Sequence, residues 1–405
     1  MFFGIDTTLF NKKNEMRTSH DIFYNLAPMI LINRLFLAAF ILLAWACSNR
    51  KEAKEAAIGV SSLKYATGFS SRTEGNATYI TVNYPYQGAT EGYQYLLVPH
   101  DAAVPEHDKK TQVIRTPIHK IVCTSTTHIP LLDYIEETNS LIGFPTTDYI
   151  SSEVMRKHID EGSVKDLGID KGMNIELLYS LHPDLVMGYT MSNDLGQLKK
   201  LRELGIPVVI NAEYLEKHPL GRAEWIKFVA LFYNKQNEAD SVFDGIEREY
   251  LATQELVKNV SVNPTVLSGI VYGDAWFMPA GKNYAARLFS DAGMNYLWKD
   301  TDANGFLELS FESVYTRAKD ADLWIGVGSF NSLQEIQVTE SRYGLFKPFK
   351  LKQVYTYNAR KGAKGGSEFL ELGYLRPDLI LKDLVKIAHP ELLPDYQLFF
   401  HKKLE

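Results

Sequence analysis

Residues 174–186 read NIELLYSLHPDLV, and residues 310–324 read SFESVYTRAKDADLW. Each stretch opens with a residue suited to cap a helix, continues with an apolar residue and a glutamate, and places a tyrosine three positions later. Each then ends in Asp-Leu and an apolar residue. A capped helix that leads into a buried strand is a building unit of α/β folds. Because the unit occurs twice, we predict two similar α/β lobes.

Strands and helices alternate on both sides of this repeat. The same alternation resumes after Pro264, downstream of a long helical region. Alternation of this kind is typical of mainly parallel sheets with helices on their faces. We therefore predict Rossmann-like lobes at residues 116–215 and 263–405. The predicted strands are Ile121–Cys123, Leu141–Phe144, Asp184–Gly188, Ile206–Ile210, Val266–Tyr272, Leu323–Val327 and Val354–Asn358.

Residues 216–262 are predicted to link the two lobes. No proline occurs between Gly221 and Asn259, and helix-forming residues dominate that stretch. Asn237 is suited to cap a helix that continues through Lys258, a length of about 33 Å at 1.5 Å per residue. One long α-helix should therefore join the lobes.

Residues 62–115 show a different pattern from the lobes. Short runs of alternating polarity are broken by turn residues, most clearly YITVNY at 79–84 and YQYLLV at 93–98. We predict a small antiparallel β segment ahead of the lobes, and the sequence assigns it no role.

Residues 1–47 are predicted to be an export signal. The apolar run LFLAAFILLAWA at 35–46 is shorter than the roughly 20 residues of a spanning helix, and Arg34 precedes it. Cys47 follows small residues in a pattern that resembles a lipobox, so we predict that it is lipidated. The alternative is an accidental cysteine at the end of an uncleaved anchor. Residues 48–61 are then a flexible tether, and Met29 is an alternative translation start to Met1.

The composition excludes several classes of protein. The chain of 405 residues has 43 Lys and Arg against 49 Asp and Glu, a formal net charge of −6, and no long basic stripe, so we expect no nucleic-acid partner. Two cysteines, Cys47 and Cys123, exclude a disulfide scaffold and multi-cysteine metal sites. The ten histidines are scattered, which argues against a bare-metal cargo. GxSxG, HExxH, GxGxxG and P-loop motifs are missing, so we expect neither catalysis nor a resident cofactor.

Eight segments match one family in their order and spacing. They are Lys120–Thr127 (KIVCTSTT), Leu141–Gly143, Leu167–Gly168, Gly172–Glu176, Leu181–Val186, Leu201–Val209, Leu309–Glu312 and Arg376–Leu381. With them the chain resembles the substrate-binding proteins of ATP-driven importers for ferric siderophores, haem and cobalamin. The resemblance implies a monomer, lipid-anchored in the bacterial cell envelope on the periplasmic side. It would capture a metal chelate between its lobes and deliver it to an ABC permease in the inner membrane.

The ligand cleft is expected at the carboxyl ends of the strands, where open α/β sheets bind ligands. Aromatic walls suit flat conjugated chelates, whereas basic side chains suit anionic ferric siderophores. Tyr189 and Phe306 fall where a cobalamin-binding relative has ligand-contacting tryptophans, and Asp170 occupies a third such position. Cobalamin therefore stays open beside ferric siderophore and haem. The candidate ligand-binding residues are Thr127, His128, Thr147, Tyr149, Tyr189, Tyr272, Trp276, Phe306, Arg360 and Phe369.

These candidates have ordinary structural alternatives. Any one aromatic side chain can equally belong to the core. For His128, metal ligation and a hydrogen-bonding role in a loop both stay open.

Glu176 and Glu312 occupy matching positions of the repeat. In the resembled family one glutamate from each lobe meets arginines of the permease, which implies the same role here. The alternative is local, because an acid in the first turn of a helix stabilises the helix dipole by roughly 0.3–1 kcal/mol.

Two further functions remain alternatives. The same lobes can support an enzyme subunit with its active site in the cleft. A surface adhesion lipoprotein that uses residues 62–115 is the other alternative, and it predicts no affinity for small molecules.

Overall fold

The computed structural model of the chain describes residues 59–60 and 62–405. The predicted signal at 1–47, the predicted lipidation site Cys47 and most of the predicted tether lie outside the described residues. In the part of the chain that is described, no helix has the length and apolar character needed to cross a membrane.

One sheet begins the described chain. Neighbouring strands pair antiparallel from β1 to β4, as predicted, but β4 and β5 are parallel. Residues 100–111 connect that last pair, and a connection of about a dozen residues is long enough to bring a strand back parallel. In spatial order the strands are β1 (Gly59–Val60), β2 (Phe69–Glu74), β3 (Ala77–Val82), β4 (Tyr93–Pro99) and β5 (Gln112–Thr116).

The next sheet, with helices α1–α4, forms the N-terminal lobe, and its strand pairs are all parallel. Its strands are β6 (Ile121–Cys123), β7 (Leu141–Phe144), β8 (Lys165–Asp166), β9 (Leu185–Gly188) and β10 (Val208–Ile210), in the order β10-β9-β6-β7-β8. Between them lie α1 (Ile129–Tyr134), α2 (Glu153–Asp160), α3 (Ile175–Ser180) and α4 (Gln197–Glu203). Every residue of β6, β9 and β10 is buried, as expected of strands covered on both faces.

Three helices come after the N-terminal lobe. They are α5 (Pro219–Ala223), α6 (Ile226–Leu231) and α7 (Gln236–Leu256). The predicted long helix is confirmed as α7, which has 21 residues. The Tyr250 hydroxyl donates to Asp291 at 2.6 Å, and this bond ties α7 to the C-terminal lobe.

The C-terminal lobe contains two sheets. The larger has the order β14-β11-β16-β17-β18 and is parallel except for β18, and the smaller is antiparallel with the order β12-β13-β15. The strands are β11 (Thr265–Ser268), β12 (Ile270–Tyr272), β13 (Ala275–Pro279), β14 (Asn295–Tyr296), β15 (Phe306–Leu309), β16 (Leu323–Ile325), β17 (Val354–Thr356) and β18 (Lys402–Lys403). The helices are α8 (Tyr284–Asp291), α9 (Phe311–Ala318), α10 (Leu333–Thr339), α11 (Lys347–Lys350), α12 (Glu368–Leu372) and α13 (Pro377–Ala388).

Gly269 divides a stretch that the sequence predicts as one strand, Val266–Tyr272. Its φ is +82°, and a Cβ there would lie 1.9 Å from the carbonyl oxygen of Phe277. Only glycine accommodates both the positive φ and this close approach. The chain therefore leaves the parallel sheet at Gly269 and enters the antiparallel sheet as β12.

The sequence repeat corresponds to equivalent structure in the two lobes. Asn174 caps α3 and Ser310 caps α9, each by accepting a backbone N–H three residues on. The aspartates further along each copy act alike. Asp184 accepts the backbone N–H of Lys120 just before β6, at 2.9 Å, and Asp322 accepts that of Thr265 in β11, also at 2.9 Å. In each lobe the repeat therefore fixes the start of the first strand.

The N-terminal sheet covers the outer edge of β10. The Tyr95 hydroxyl accepts the N–H of Ile210 at 3.0 Å, and Gln112 Oε1 accepts that of Val208 at 3.2 Å. Two buried carboxylates hold the segment before β2, since Glu216 accepts the N–H of Gly68 at 2.7 Å and Glu224 accepts that of Ala66 at 2.8 Å. Hydrogen bonds between backbone N–H groups and side chains thus join the sheet to the N-terminal lobe and to the linking helices.

Candidate functional site

The candidate site lies where the parallel strands of each lobe end. In the N-terminal lobe the relevant ends are those of β6, β7, β9 and β10. In the C-terminal lobe they are the ends of β11 and β17, together with the antiparallel sheet that continues from β11. The sequence candidates lie just after these ends, but they differ in whether their side chains are free to meet a ligand.

Two tyrosines of the N-terminal lobe are accessible at these ends. Tyr149, in the turn after β7, is 63% exposed, and Tyr189, directly after β9, is 37% exposed. Partial burial and the carboxylate of Asp170, which accepts a hydrogen bond from the hydroxyl, raise the pKa of Tyr189. The structure therefore brings together Tyr189 and Asp170, two positions that the sequence pattern singled out separately.

Thr127 and Thr147 differ in their surroundings. The Thr127 hydroxyl donates to Glu213 Oε1 at 2.5 Å at the end of β10. Thr147 is 5% exposed, and Asp166 Oδ2 accepts both its N–H and its hydroxyl, each at 2.8 Å. Thr147 is buried and donates its hydroxyl within its own turn, so this structure does not present it to a ligand.

His128 is likewise buried rather than presented at the strand ends. It is 0% exposed, and its ring lies near the backbone of Met187. Burial lowers its pKa to about 3, so the imidazole is neutral. The reason is local geometry: Thr126–His128 form a 3₁₀ turn, in which successive side chains point about 120° apart, so His128 faces the core when Thr127 faces Glu213.

Trp276 also lies in the core and is not presented at the strand ends. It is 0% exposed, its indole N–H donates to the Ser268 carbonyl at 3.0 Å, and its ring lies 5.5 Å from that of Trp324. Successive residues of a strand point to opposite faces, so Trp276 enters the core while Phe277 points outward. Phe277, one residue later, is therefore the side chain that faces away from the core.

The outward face of the antiparallel sheet carries three aromatic rings. Tyr272 is 78% exposed and Phe306 70% exposed, and the ring of Phe277 meets that of Tyr272 edge-on at 6.1 Å. Glu308 pairs with Phe277 across the strands and is exposed. We call Tyr272, Phe277, Phe306 and Glu308 the aromatic face. Sequence reasoning missed Phe277 and Glu308, although strand alternation was the signal that marks them.

Arg360 and Phe369 are occupied by neighbours in their own lobe. Arg360 Nε donates to Glu368 at 2.7 Å, and its guanidinium lies 4.5 Å from the ring of Phe399. Phe369 is half-buried and stacks on Tyr357 with the ring centres 4.6 Å apart. Both side chains are engaged within the C-terminal lobe, whereas those of Tyr149 and Tyr272 are exposed to solvent.

The two lobes meet at one end of this site. A Cβ at Gly366 would lie 2.1 Å from the carbonyl oxygen of Tyr149, so the glycine-containing loop of the C-terminal lobe packs directly on the N-terminal lobe. Beside it Glu371 accepts the N–H of Ser151 at 2.7 Å and that of Ser152 at 2.8 Å. Glu371 is 2% exposed, and burial raises its pKa to about 7. Nothing in the local sequence distinguishes this glutamate from a surface residue.

Two buried polar residues close to Thr127 were also missed by sequence reasoning. Asn211 and Glu213 lie just after β10 and are 0% and 5% exposed. Asn211 Oδ1 accepts the N–H of Glu213 at 3.1 Å. Burial raises the pKa of the Glu213 carboxyl, which nearby Arg222 partly opposes. A polar residue directly after a buried strand was the available signal.

The site offers aromatic and hydrogen-bonding contacts. Among the described residues, no three His, Cys, Asp or Glu side chains converge in a way that could hold a metal ion. What the strand ends present is exposed aromatic rings on both lobes. Such an arrangement suits a ligand with broad apolar surfaces.

The two glutamates of the repeat lie at equivalent helix starts. Glu176 is exposed in the first turn of α3, and Glu312 is exposed in the first turn of α9. They are not equivalent in charge environment, because Arg342 Nη1 lies 3.2 Å from Glu312 Oε1 and also pairs with Glu340.

Comparison with known proteins identifies the family of this chain. A family model described as periplasmic binding protein matches residues 121–360. An uncharacterized lipoprotein of Methanocaldococcus jannaschii is 29% identical in an alignment of 328 residues that covers 77% of this chain and 76% of that protein. The periplasmic heme-binding protein RhuT from Roseiflexus sp. RS-1 has 17% identity and a TM-score of 0.53, covering 68% of this chain and 99% of its own. Helicobacter pylori Ceue with Ni(II) bound has 18% identity and a TM-score of 0.54, covering 71% and 88%. At those identities the two structures show a shared two-lobe fold. The family model, which matches more than half of the chain, establishes that the chain belongs to the periplasmic binding protein family.

Proposed function

We propose that this protein is the substrate-binding subunit of an ATP-driven importer and that it captures a metal chelate between its two lobes. Ferric siderophore, haem and cobalamin are the candidate cargoes. The family supports the binding role, and of two proteins with the same fold one is described as heme-binding and the other has Ni(II) bound. No reaction and no resident cofactor belong to this function, because ATP hydrolysis falls to a separate subunit.

The observation that carries the proposal is the exposure of aromatic rings on both lobes. Tyr149 and Tyr189 are exposed in the N-terminal lobe, and Tyr272 and Phe306 are exposed in the C-terminal lobe. Leaving large rings in water costs roughly 25 cal/mol per Å² of apolar surface relative to burial. A flat or rounded apolar chelate held between the lobes would cover rings on both sides at once.

The same proposal specifies the membrane anchor and the partner of the protein. The protein acts as a monomer at the cell envelope, anchored through a lipid on Cys47, and docks on an ABC permease through Glu176 and Glu312. The naming of a related chain as a lipoprotein supports the anchor. Direct contact with nucleic acid plays no part.

The test is a set of titrations of the full-length chain in mild detergent. Haemin, ferric desferrioxamine and cyanocobalamin are each titrated by calorimetry, and we expect one of them to bind saturably with one molecule per chain. Tyr189→Ala and Phe306→Ala should each weaken that binding at least tenfold. Tyr179→Ala is the matched control, because Tyr179 is exposed on α3 away from the strand ends. A wild-type chain that binds none of the three chelates contradicts the proposal.

A further inference from the structure

The segment around α11 presents lysines and leucines to solvent together. Residues 345–352 read LFKPFKLK, a stretch with three lysines and no acid. Phe346 is 0% exposed and Pro348 is buried, so these two residues fix the segment to the core. Leu345 and Leu351 are nevertheless 47% and 56% exposed. The segment therefore combines apolar and basic side chains on the surface of the protein.

This segment shares one surface with the end of α9. The N–H of Lys347 donates to the carbonyl of Lys319 at 2.7 Å, and the ring of Phe346 meets that of Tyr315 edge-on at 5.5 Å. The side chains of both elements line a surface pocket of about 280 Å³. We call the lysines and leucines of this pocket the basic patch: Lys319, Lys347, Lys350, Leu345 and Leu351.

The basic patch is positive, although the chain as a whole is negative. Two of its lysines lie near acids, one 3.8 Å from Asp320 and one 2.8 Å from Asp322. Lys350 and the adjacent Lys352 are exposed and take no part in these two pairs. Four lysines against two aspartates leave a local charge of +2, whereas the formal net charge of the chain is −6. An anionic surface is therefore attracted here and repelled by the chain as a whole.

The basic patch lies at the edge of the sheet opposite the candidate ligand site. Lys319 comes shortly before β16 and Leu351 shortly before β17, and these two strands are parallel. The candidate ligand site lies at the other, carboxyl ends of the strands. Glu312 is in the first turn of α9 and Lys319 directly follows its last residue, so the length of the helix, about 12 Å, separates them. A partner that covers the patch therefore leaves the strand ends accessible.

The composition of the basic patch matches a lipid surface. Lysine ammonium groups are hydrated point charges that attract an anionic surface without requiring one geometry. Exposed leucines beside them gain by entering the boundary between headgroups and acyl chains. Free phosphate could pair with the lysines but would leave Leu345 and Leu351 in water. Each lysine close to an anionic leaflet strengthens binding about fivefold.

We propose that the basic patch contacts the anionic phospholipid surface of the membrane and orients the C-terminal lobe so that its strand ends face away from the bilayer. In this orientation the cleft is open to ligand, and docking on the permease requires release of the patch. The proposed lipid anchor keeps the protein near the membrane, but the contact itself depends on no particular cargo.

Lysine footprinting of the full-length chain reconstituted into vesicles tests this contact. Vesicles of phosphatidylcholine are compared with vesicles of phosphatidylcholine and phosphatidylglycerol in equal amounts. A neutral acylating reagent modifies accessible lysines, and mass spectrometry gives the rate at each position. Modification of Lys319 and Lys350 should be at least fivefold slower on the anionic vesicles, and concentrated sodium chloride should remove the difference. Lys199 and Lys200, exposed on α4, are the internal controls and should change less than twofold.

A variant then tests the apolar part of the contact. Leu351→Gln keeps every charge of the basic patch and should reduce the slowing of Lys350 modification at least twofold. Leu204→Gln is the matched control, because Leu204 is 49% exposed at the end of α4, and it should leave the slowing unchanged. Circular dichroism of both variants checks that they fold.

The outcomes separate a lipid contact from the other partners that a basic surface could have. Equal modification rates on the two kinds of vesicle overturn the proposal, and so does equal slowing at Lys199 and Lys200. Slowing by inorganic phosphate on neutral vesicles would assign the patch to a small anion instead. Slowing on neutral vesicles only when the permease is present would assign it to an acidic protein surface. An unchanged slowing in the Leu351→Gln chain overturns the apolar part of the contact. No chelate is present in these measurements, so failure of the chain to bind a chelate overturns the proposed function alone.

Discussion

Glu371 accepts the backbone N–H of Ser151 at 2.7 Å, which ties α12 of the C-terminal lobe to the turn before α2 of the N-terminal lobe. Ser152, which donates its own N–H to Glu371, also donates its hydroxyl to Asp133 at 2.8 Å. Burial raises the pKa of Glu371 to about 7 and that of Asp133 to about 6, and each lies above its ordinary value. Two acids that resist ionisation thus lie at the contact between the lobes.

The raised pKa values of these two carboxyl groups predict that the free energy of unfolding depends on pH. With folded pKa values of about 7 and about 6 against ordinary values of 4.5 and 3.8, the folded protein holds more protons than the unfolded chain between those limits. Their contribution to the free energy of unfolding is therefore greatest below pH ~4 and declines as the pH rises to ~7. Asp133→Asn removes one acid and should raise the free energy of unfolding at pH 8 by about 1–3 kcal/mol.

Urea unfolding of the full-length chain at pH 5 and pH 8 measures this effect. The gain from Asp133→Asn should be larger at pH 8 than at pH 5. Asp101→Asn serves as the control, because Asp101 is exposed in the loop after β4. A gain of the same size at both pH values would show that Asp133 ionises normally.

The hydrogen bond made by Tyr95 predicts that the N-terminal sheet stabilises the lobe beside it. Its hydroxyl accepts the Ile210 N–H on the outer edge of β10, and the side chain is 1% exposed. Tyr95→Phe leaves that N–H buried without a partner, so we expect a loss of about 1–3 kcal/mol in the free energy of unfolding. Tyr84→Phe, at an exposed position, should change it by less than about 0.5 kcal/mol. Equal effects of the two substitutions in urea unfolding would mean that the edge of β10 does not depend on this bond.

Substitutions of the neighbouring residues Trp276 and Phe277 should have different effects. The first should mainly lower stability, and the second should mainly weaken ligand binding. Trp276→Ala opens a cavity in the core and should cost about 3–5 kcal/mol in the free energy of unfolding. Phe277→Ala removes a ring from the aromatic face and should weaken chelate binding about tenfold with a smaller loss of stability. Calorimetric titration and urea unfolding of both variants separate the two effects. Weaker binding in a folded Trp276→Phe chain, with Phe277→Ala unaffected, would reverse the assignment of the two faces.

The sequence was sufficient to predict the features that depend on local order. The repeat predicts α3 and α9 and the strands after them, because a capping residue, an apolar pattern and an Asp-Leu pair act within one short segment. The absence of proline predicts α7 for the same reason. The exposed Tyr189 was found because it comes directly after a predicted strand, and Tyr149 and Tyr272 because they lie near the ends of predicted strands.

The remaining features depend on contacts between distant segments. Whether Trp276 or Phe277 faces outward depends on the turn at Gly269, which is set by a close approach to Phe277 itself. The burial of Thr147 could not be predicted, because Asp166, to which it donates, lies on another strand. Glu371 binds residues about 220 positions away, so no pattern in its own neighbourhood could reveal its role.

Glu176 and Glu312 predict how the protein meets its permease. Both are exposed at equivalent helix starts, so Glu176→Lys and Glu312→Lys should each lower chelate uptake by cells, and the double variant should abolish it. Glu203→Lys, an exposed reversal on α4, should leave uptake unchanged.

Arg342 makes the two sites unequal in a testable way. Since Arg342 lies 3.2 Å from Glu312, part of the charge of Glu312 is already neutralised within the chain. A permease arginine must compete with Arg342 for Glu312, so Glu176→Lys should reduce uptake more than Glu312→Lys does. Arg342→Ala frees Glu312 and should strengthen binding to the permease in detergent by about two- to fivefold, which corresponds to the few tenths to 1 kcal/mol of an exposed ion pair. Chelate affinity measured without the permease should stay the same in all of these variants. A loss of chelate affinity in Glu176→Lys would place that glutamate in the ligand site rather than on a docking surface.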